Sequence, residues 1–566
     1  MSGTGSSRIA CNLCRHRKIR CDKAKPACET CRLARVPCVF NLVPHKKNIR
    51  EQLEESKVYV RQLENALREK EKSAFSGTII PGLFDPSGFE TSLNAFRWHL
   101  QYCTPGVVPE SQLASIFDFD EFARRLAPSC PQGPPENRDI VVPKWPSRFV
   151  VEQAINHFSK NKLYAVFPAV QTHVLTSLLN SNALNENRGT SDSANKACLV
   201  AFTAFMTRTG HRELAFTHPT PDAYLQAALS LVPHLMMEHT NLRALETFII
   251  LALYIAPLGQ PQTAELLLSM AIRILYNLGA HKSQPPLSSL VPHDFETREH
   301  LRALFWLCYS IDKEMSLRKC QAPIINDEDC DLDLPATYVT ISSNEKFFTQ
   351  QQTPEGLLYA SDLRLVLFKS KVYRYLYSHE SLSKSELVRL QLIRELDHEL
   401  HELKSQFPRA CQPHKFAIPD LSDTIARDIS LRVVNIHFEY YHSLIKIHGA
   451  SLIGHGTAQG FSLPSSSSEI CYQAARSSLL YLSRVRFLIT AGTFWIYAQF
   501  LLTAVLALYH RLATYAGSDH QHDDVRILEE TLSIFQQLKI RDGADFFPPF
   551  TITEVLIQHL INLVRG

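Results

Sequence analysis

Six cysteines lie within the first 38 residues, at Cys11, Cys14, Cys21, Cys28, Cys31 and Cys38. They read C-x2-C-x6-C-x6-C-x2-C-x6-C, and the second three repeat the first three at an offset of 17 residues. Two equivalent half-sites are implied. A segment this short cannot build an adequate apolar core, so metal binding has to drive its folding. Closed structural zinc sites are tetrahedral and take thiolate ligands. Six thiolates fill one such site and leave two sulfurs over. Two zinc ions need eight bonds, which six sulfurs supply if two of them bridge. The repeat points to a symmetry-related pair, and Cys11 with Cys28, the first cysteine of each half, is the natural one. All six cysteines are therefore candidate ligands for two Zn²⁺ ions.

Between the second and third cysteines runs Arg15-His16-Arg17-Lys18-Ile19-Arg20, in which four of six residues are cationic. Charge is unevenly spread along the chain. Lys+Arg number 59 against 56 Asp+Glu, a net of +3, yet residues 1–50 carry +10 and the remainder −7. Six thiolates and two Zn²⁺ leave the head at about +8, so a polyanion partner is expected for the head alone. A short zinc-held helix ending in Arg and Lys suits the major groove of double-stranded DNA, where Arg or Lys donates to O6 and N7 of guanine. The remaining cations would neutralise phosphates and fix the register.

Residues 41–50 form a basic linker. Residues 51–72, EQLEESKVYVRQLENALREKEK, are charge-rich and free of Gly and Pro, which predicts helix. Ile49, Leu53, Ser56, Val60, Leu63 and Leu67 fall at alternating spacings of four and three, the seam of a short coiled coil and hence of a homodimer. A solvated helix packing on its own chain is the other reading. Residues 73–147 look like a connector, with six prolines between Pro128 and Pro146. Within it Ile116–Phe122 (IFDFDEF) alternates acidic and aromatic residues, either an activation segment or a short amphipathic helix.

Residues 148–566 carry helical periodicity almost throughout and no comparable run of strands. In Ala264–Leu278 the apolar residues Leu267, Met270, Ala271, Ile274, Leu275 and Leu278 share one face. Glu265, Ser269, Arg273 and Asn277 hold the other, and Gly279 stops the helix. The last segment repeats the pattern with Ile552, Val555, Leu556, His559, Leu560 and Leu563. Loops are expected at 184–193, 281–292, 327–352 and 453–468, the last including the low-complexity run Ser465–Ser468. The fold class is thus all-α: a small two-zinc cysteine cluster over residues 1–40, a short coiled coil, and a large multi-helical domain. The longest apolar run, Phe494–Tyr509, has 16 residues against the roughly 20 that a spanning helix needs, so a buried core helix is expected and no membrane partner. The N-terminus, MSGTGSSRIACNLC, has no apolar stretch of the secretory kind, which places the cysteines in a reducing compartment. The basic runs 15–20 and 45–50 can serve as nuclear import signals.

The segment ACNLCRHRKIRCDKAKPACETCRLARVPCVF closely resembles the DNA-binding domain of fungal zinc binuclear cluster transcription factors. The resemblance implies two zincs shared by six cysteines, with Cys11 and Cys28 bridging. It implies a base-contacting Lys18 with Arg17 beside it, CGG-type triplets as the site, and phosphate contacts from Arg15, Arg20 and Lys23. It matches Lys25-Pro26 to a loop proline that is often cis in the family. A second stretch, Leu266–His281 with Glu296–Pro335, resembles the fungal-specific regulatory domain: a Leu-Gly helix end, an arginine-aromatic helix ending near Asp312, and an acidic loop closed by Leu-Pro. Cys320 and Gln321 stand where that family commonly has Gly-Arg. Together these imply a nuclear, sequence-specific regulator of RNA polymerase II genes, acting with the transcription machinery, an activator or a repressor.

No catalytic constellation is present. His398-Glu399-Leu400-His401-Glu402 has its histidines at i, i+3 rather than the i, i+4 of a metalloprotease and reads as an exposed helix face. His520, His522, Asp523 and Asp524 read as a polar loop, Cys308, Cys320 and Cys330 as core or loop thiols, and Phe305, Trp306 and Tyr309 as core. The rival readings are a thiol-based metal or redox sensor and an enzyme built on the helical body. The chain is read as no enzyme.

Overall fold

The computed structural model describes residues 10–40 and, with gaps in its loops, most of residues 144–565. These fall into two units, a cysteine-rich head and a helical body. The linker, the seam of Leu53, Val60, Leu63 and Leu67, and the connector up to residue 143 lie outside the described residues. Every regular element among the described residues is helical, as the periodicity leads one to expect.

The head holds two short helices, α1 (Asn12–His16) and α2 (Glu29–Leu33), themselves offset by 17 residues. The first half of the body comprises α3 (Arg148–Lys160), α4 (Thr172–Asn180), α5 (Ser193–Thr209), α6 (Pro221–Ser230), α7 (Val232–Met237), α8 (Leu242–Ile255), α9 (Pro261–Asn277) and α10 (Phe295–Lys319). The second half comprises α11 (Leu363–Val372, continued by a π-helical turn at Tyr373–Tyr377), α12 (His379–Leu382), α13 (Glu386–Ser405), α14 (Thr424–Gly449), α15 (Ser465–Val485), α16 (Ala491–Thr514), α17 (Gln521–Asp542) and α18 (Pro548–Arg565).

Two helices centre the body. α8 is buried all round from Ala244 to Ile255 and packs between α5 and α9. A helix apolar on every side has to lie inside. α14 plays that part in the second half, against α11, α13, α15 and α16. One apolar core runs through both halves. The 494–509 run lies in α16, whose described residues there are buried, and no described helix is long and apolar enough to cross a membrane.

Helix α9 follows its sequence pattern: Leu267, Ala271 and Leu275 are buried, Arg273 and Asn277 exposed. It stops where Gly279 takes φ +73°, with Gly279 N–H donating to Tyr276 O (3.0 Å) and Ala280 N–H to Leu275 O (3.1 Å). Glu265, assigned to the outer face, instead pairs with Lys319 of α10.

Three further expectations are corrected. Ser465–Ser468 are the first turn of α15 rather than a loop. Serine suits a helix start, where hydroxyls compensate unpaired amides, and Ser467 also reaches His448 Nδ1 of α14 at 3.4 Å. His522, Asp523 and Asp524 open α17 rather than forming a loop. Asp524 is buried against Arg476 and Arg511, and the helix N-terminus favours its charge. His520 lies outside the described residues. In α18 the buried arc is Thr553, Leu556, Ile557, Leu560 and Ile561, with His559 beside it, while Leu563 is 45% exposed. Packing against both α16 and α17 turns the arc one position from the expected stripe.

Candidate metal centre and nucleic-acid interface

The six cysteine sulfurs gather into two overlapping sets. Cys11, Cys14, Cys21 and Cys28 form one, and Cys11, Cys28, Cys31 and Cys38 the other; within each, all sulfurs lie within 4.8 Å of one another. Cys11 and Cys28 belong to both, and their sulfurs are 3.6 Å apart. Cys11 is 3.5 Å from Cys31, and Cys14 is 3.7 Å from Cys28. Two tetrahedral sites sharing two sulfurs need this arrangement, so the donor set fits two zinc ions with Cys11 and Cys28 between them.

The thiols cannot all ionise by themselves. The Cys14 amide holds the Cys11 thiol down to about 6 against burial. Burial pushes Cys14 up and Cys31 up to about 12. Although the Cys31 amide favours its thiolate, Cys28 is driven up by burial and by the neighbouring sulfurs. A divalent cation at each set reverses this balance, because a coordinating thiol loses its proton.

The backbone repeats bond for bond. Arg15 N–H donates to Cys11 O at 3.0 Å and Arg32 N–H to Cys28 O at 2.9 Å. Ile19 N–H reaches Cys14 O at 3.0 Å and Val36 N–H reaches Cys31 O at 3.1 Å. Between these bonds Lys18 takes φ +52° and Arg35 φ +47°, the left-handed residue that closes a Schellman turn. Each cysteine ahead of a helix is extended, and each helix is closed within six residues. Lys25-Pro26, in the loop between the halves, is cis. Asp22 accepts from the Glu29 amide (3.1 and 3.2 Å) and so caps α2, a contact the cysteine pattern does not reveal.

Side chains break the symmetry. Arg15, Arg17, Lys18 and Arg20 all project outward around α1, with Lys23 exposed after Cys21. At the equivalent places α2 keeps Arg32 and Arg35 but has Ala34 and Pro37 in place of Arg17 and Arg20. It adds Glu29, and its Leu33 is 78% exposed. A polyanion therefore meets concentrated positive charge on the α1 side.

In the body, the residues of the second resemblance tie three segments together. Asp312, buried near the end of α10, accepts from the amides of Ile324 (2.8 Å) and Ile325 (3.0 Å). Lys313 donates to Ile325 O at 2.5 Å and pairs with Asp327 at 2.9 Å. Asp327 also accepts from Tyr309 (3.0 Å) and from Ser370 of α11 (2.6 Å). Arg302 donates to Ala280 O and Asp331 O, both at 3.0 Å, clamping the Gly279 turn to the acidic loop. Phe305, Trp306 and Tyr309 are core, as expected. Cys320 stands at φ +53° just beyond α10, a position that favours the glycine the resemblance leads one to expect.

The catalytic look-alikes separate. His398, Glu399, His401 and Glu402 line the exposed face of α13, with Leu400 turned inward. Cys308 is buried, and Cys330 meets the Tyr276 hydroxyl at 3.5 Å. Among the described residues, the two cysteine sets of the head are the groups placed to hold a metal.

Comparison with known proteins agrees with this geometry. Residues 9–48 match the fungal Zn(2)-Cys(6) binuclear cluster domain, which binds two zinc ions, and residues 155–405 match the fungal specific transcription factor domain. An ABC-transporter-regulating transcription factor of Aspergillus fumigatus is 26% identical over 340 residues, 56% of this chain and 36% of that one. The chain thus spans about a third of that relative's length. An uncharacterized transcriptional regulatory protein of Schizosaccharomyces pombe is 22% identical over 524 residues, 83% of this chain and 65% of that one. A depudecin biosynthesis cluster-specific transcription activator of Fusarium langsethiae is 40% identical over 50 residues, 9% of this chain and 8% of that one.

Proposed function

The chain belongs to the fungal zinc binuclear cluster transcription factors, and from that premise we propose that it acts in the nucleus as a dimeric activator of RNA polymerase II genes, reading CGG-type triplets. The observation that carries this reading is the pair of overlapping four-sulfur sets with four outward cations between Cys14 and Cys21. All six cysteines are zinc ligands, Cys11 and Cys28 the bridges. Lys18, with Arg17, donates to guanine edges in the major groove; Arg15, Arg20 and Lys23 hold phosphates. The seam of Leu53, Val60, Leu63 and Leu67 pairs two heads and so sets half-site spacing. Activation is the sign named for the Fusarium relative, and a reporter gene carrying the selected site decides it against repression. The body's role is regulatory, not catalytic.

Selection of bound sequences from random duplex by the full zinc-loaded chain tests this directly. Enrichment of paired CGG triplets at fixed spacing is expected. Recovery of unpaired triplets would remove the dimer, and recovery without sequence bias would favour a metal or redox sensor. Affinity should also fall with salt, each phosphate contact contributing about −0.9 to the log–log slope.

A further inference from the structure

Helix α11 packs on both α10 and α14, and so joins the two halves of the body. The joint is charged. The buried Lys369 ammonium pairs with Glu314 of α10 and, at 3.2 Å, with Glu439 Oε1 of α14. Ser361, just ahead of α11, donates to Glu439 Oε2 at 2.9 Å. Glu314 faces a second cation, with Arg318 Nη2 3.9 Å from its Oε1. Glu439 is 3% exposed, and among the described residues Lys369 is the cation within ion-pair reach of it. Two carboxylates around one ammonium are not both fully compensated, and taking either out of water opposes its charge. Glu439, with a hydroxyl and a shared ammonium, is the worse supported of the two. Burial pushes its carboxyl up to about 7. Glu314, although burial opposes its charge, is brought down to about 2 by Lys369.

The other ionisable groups around α14 are placed as follows. His442, one turn on, is pushed down by burial to about 3 and is neutral. Lys446, a further turn on, donates to Arg318 O at 3.1 Å. From α16, Tyr497 faces Glu439 and is held protonated by burial, while the Phe500 ring lies 5.9 Å from the Lys369 ammonium and 5.2 Å from the His442 ring. From α13, Lys404 lies over the Tyr440 ring at 5.5 Å, and Asp397 is 3.5 Å from His448 Nε2. From α15, Tyr481 stacks on His437 at 4.3 Å.

We propose that Glu439 is the proton switch of this joint: it carries a proton while α11 and α14 are closed together, and its loss to solvent above neutral pH loosens that contact, so that the tie between the two halves of the body follows the surrounding pH. One proton is exchanged with solvent, and Lys369 remains an ammonium throughout. A charged Glu439 has either to compete with Glu314 for Lys369 or to reach water, and both open the contact at Ser361. A carboxyl whose folded value stands above its ordinary 4.5 holds its proton better folded than unfolded. Its stabilising contribution is complete at low pH and is lost as pH rises from about 4.5 through about 7. His442, shifted the other way, works in the opposite sense between about 3 and 6.5, so the comparison has to be with a chain that keeps it. The joint lies wholly within the body, and its test needs no DNA.

The full zinc-loaded chain and its Glu439→Gln variant are unfolded in denaturant at pH values from about 5.5 to about 8.5. Infrared difference spectra follow the carbonyl stretch of protonated carboxyl groups. Hydrogen exchange, corrected for intrinsic rates, follows the amides of residues 363–372 and 433–446. The parent's folding constant relative to the variant's should fall about tenfold or more across this range and level off at its upper end. One protonated carboxyl should disappear near neutrality in the parent and be missing from the variant. Protection of the α11 amides should drop over the same interval in the parent alone. Should Glu439→Gln not fold, Lys369→Met decides: without the ammonium the infrared transition should move to higher pH. A ratio independent of pH, no carboxyl transition near neutrality in the parent, or one that survives Glu439→Gln would overturn the proposal. So would a transition unmoved by Lys369→Met, or α11 protection that stays constant across the range.

Discussion

Among the described residues, those fully buried in the head are Cys11, Cys14, Cys28 and Cys31; in the body they are mainly leucines, isoleucines, valines, alanines and aromatic rings spread over many helices. The head's two helices have five residues each, too short to persist by propensity, and among the described residues they have little beyond the cysteines, Ala10, Leu13 and Phe40 to pack on. Its order is therefore chemical, resting on ligation and on thiol ionisation. The body's order is hydrophobic, with ionised groups placed as latches between helices. One chain thus has two stability laws, and agents that undo one should leave the other standing.

The largest effect should come from the bridges. Cys28→Ala, or a zinc chelator, should abolish the head's fold and its duplex selectivity, since structural zinc in small domains contributes roughly 10–16 kcal/mol of folding free energy. Zinc content should fall from two equivalents while the thermal melt of the body stays in place. A body melt that moves with the metal would break the division. The reciprocal experiment is Asp312→Ala, which leaves the amides of Ile324 and Ile325 without their acceptor while Lys313 keeps Asp327. Denaturant titration should show the body destabilised by about 2–5 kcal/mol, with zinc still at two equivalents.

Two smaller substitutions sharpen the comparison within each region. Lys18→Ala should lower affinity for the selected duplex about tenfold to a hundredfold by binding titration, with zinc content intact. Unchanged preference would dissociate the cation from base reading. Gly279→Ala should cost the body about 1 kcal/mol. An added Cβ there meets nothing within 4 Å, so the loss would measure the left-handed backbone alone. Cys320→Gly should shift the melt the opposite way by a similar or smaller amount.

Legibility followed the same division. Cysteine spacing constrains the head completely enough that the two sulfur sets and their shared pair were readable, because ligation ties sequence offsets to geometry. Asp22 as the cap of α2 carried no such signature. In the body, periodicity found α9 and the buried α16 but not where polar residues turn inward. The serine run 465–468 looks like a loop until its hydroxyls are set at a helix start. Asp524 reads as solvated until Arg476 and Arg511, distant in sequence, arrive beside it. Glu314, Lys369 and Glu439 likewise look like surface charges, since their pairing depends on tertiary contacts that no local pattern encodes.

The duplicated backbone of the head separates scaffold from reader. Since both loops are framed by the cysteines and the same repeated backbone bonds, the decorations at His16, Arg17 and Arg20 could be exchanged with those at Leu33, Ala34 and Pro37 without retooling the frame that carries them. Such a graft would turn the molecule's grip on its duplex from one cheek of the cluster to the other, an inversion of docking polarity achieved with no change of fold.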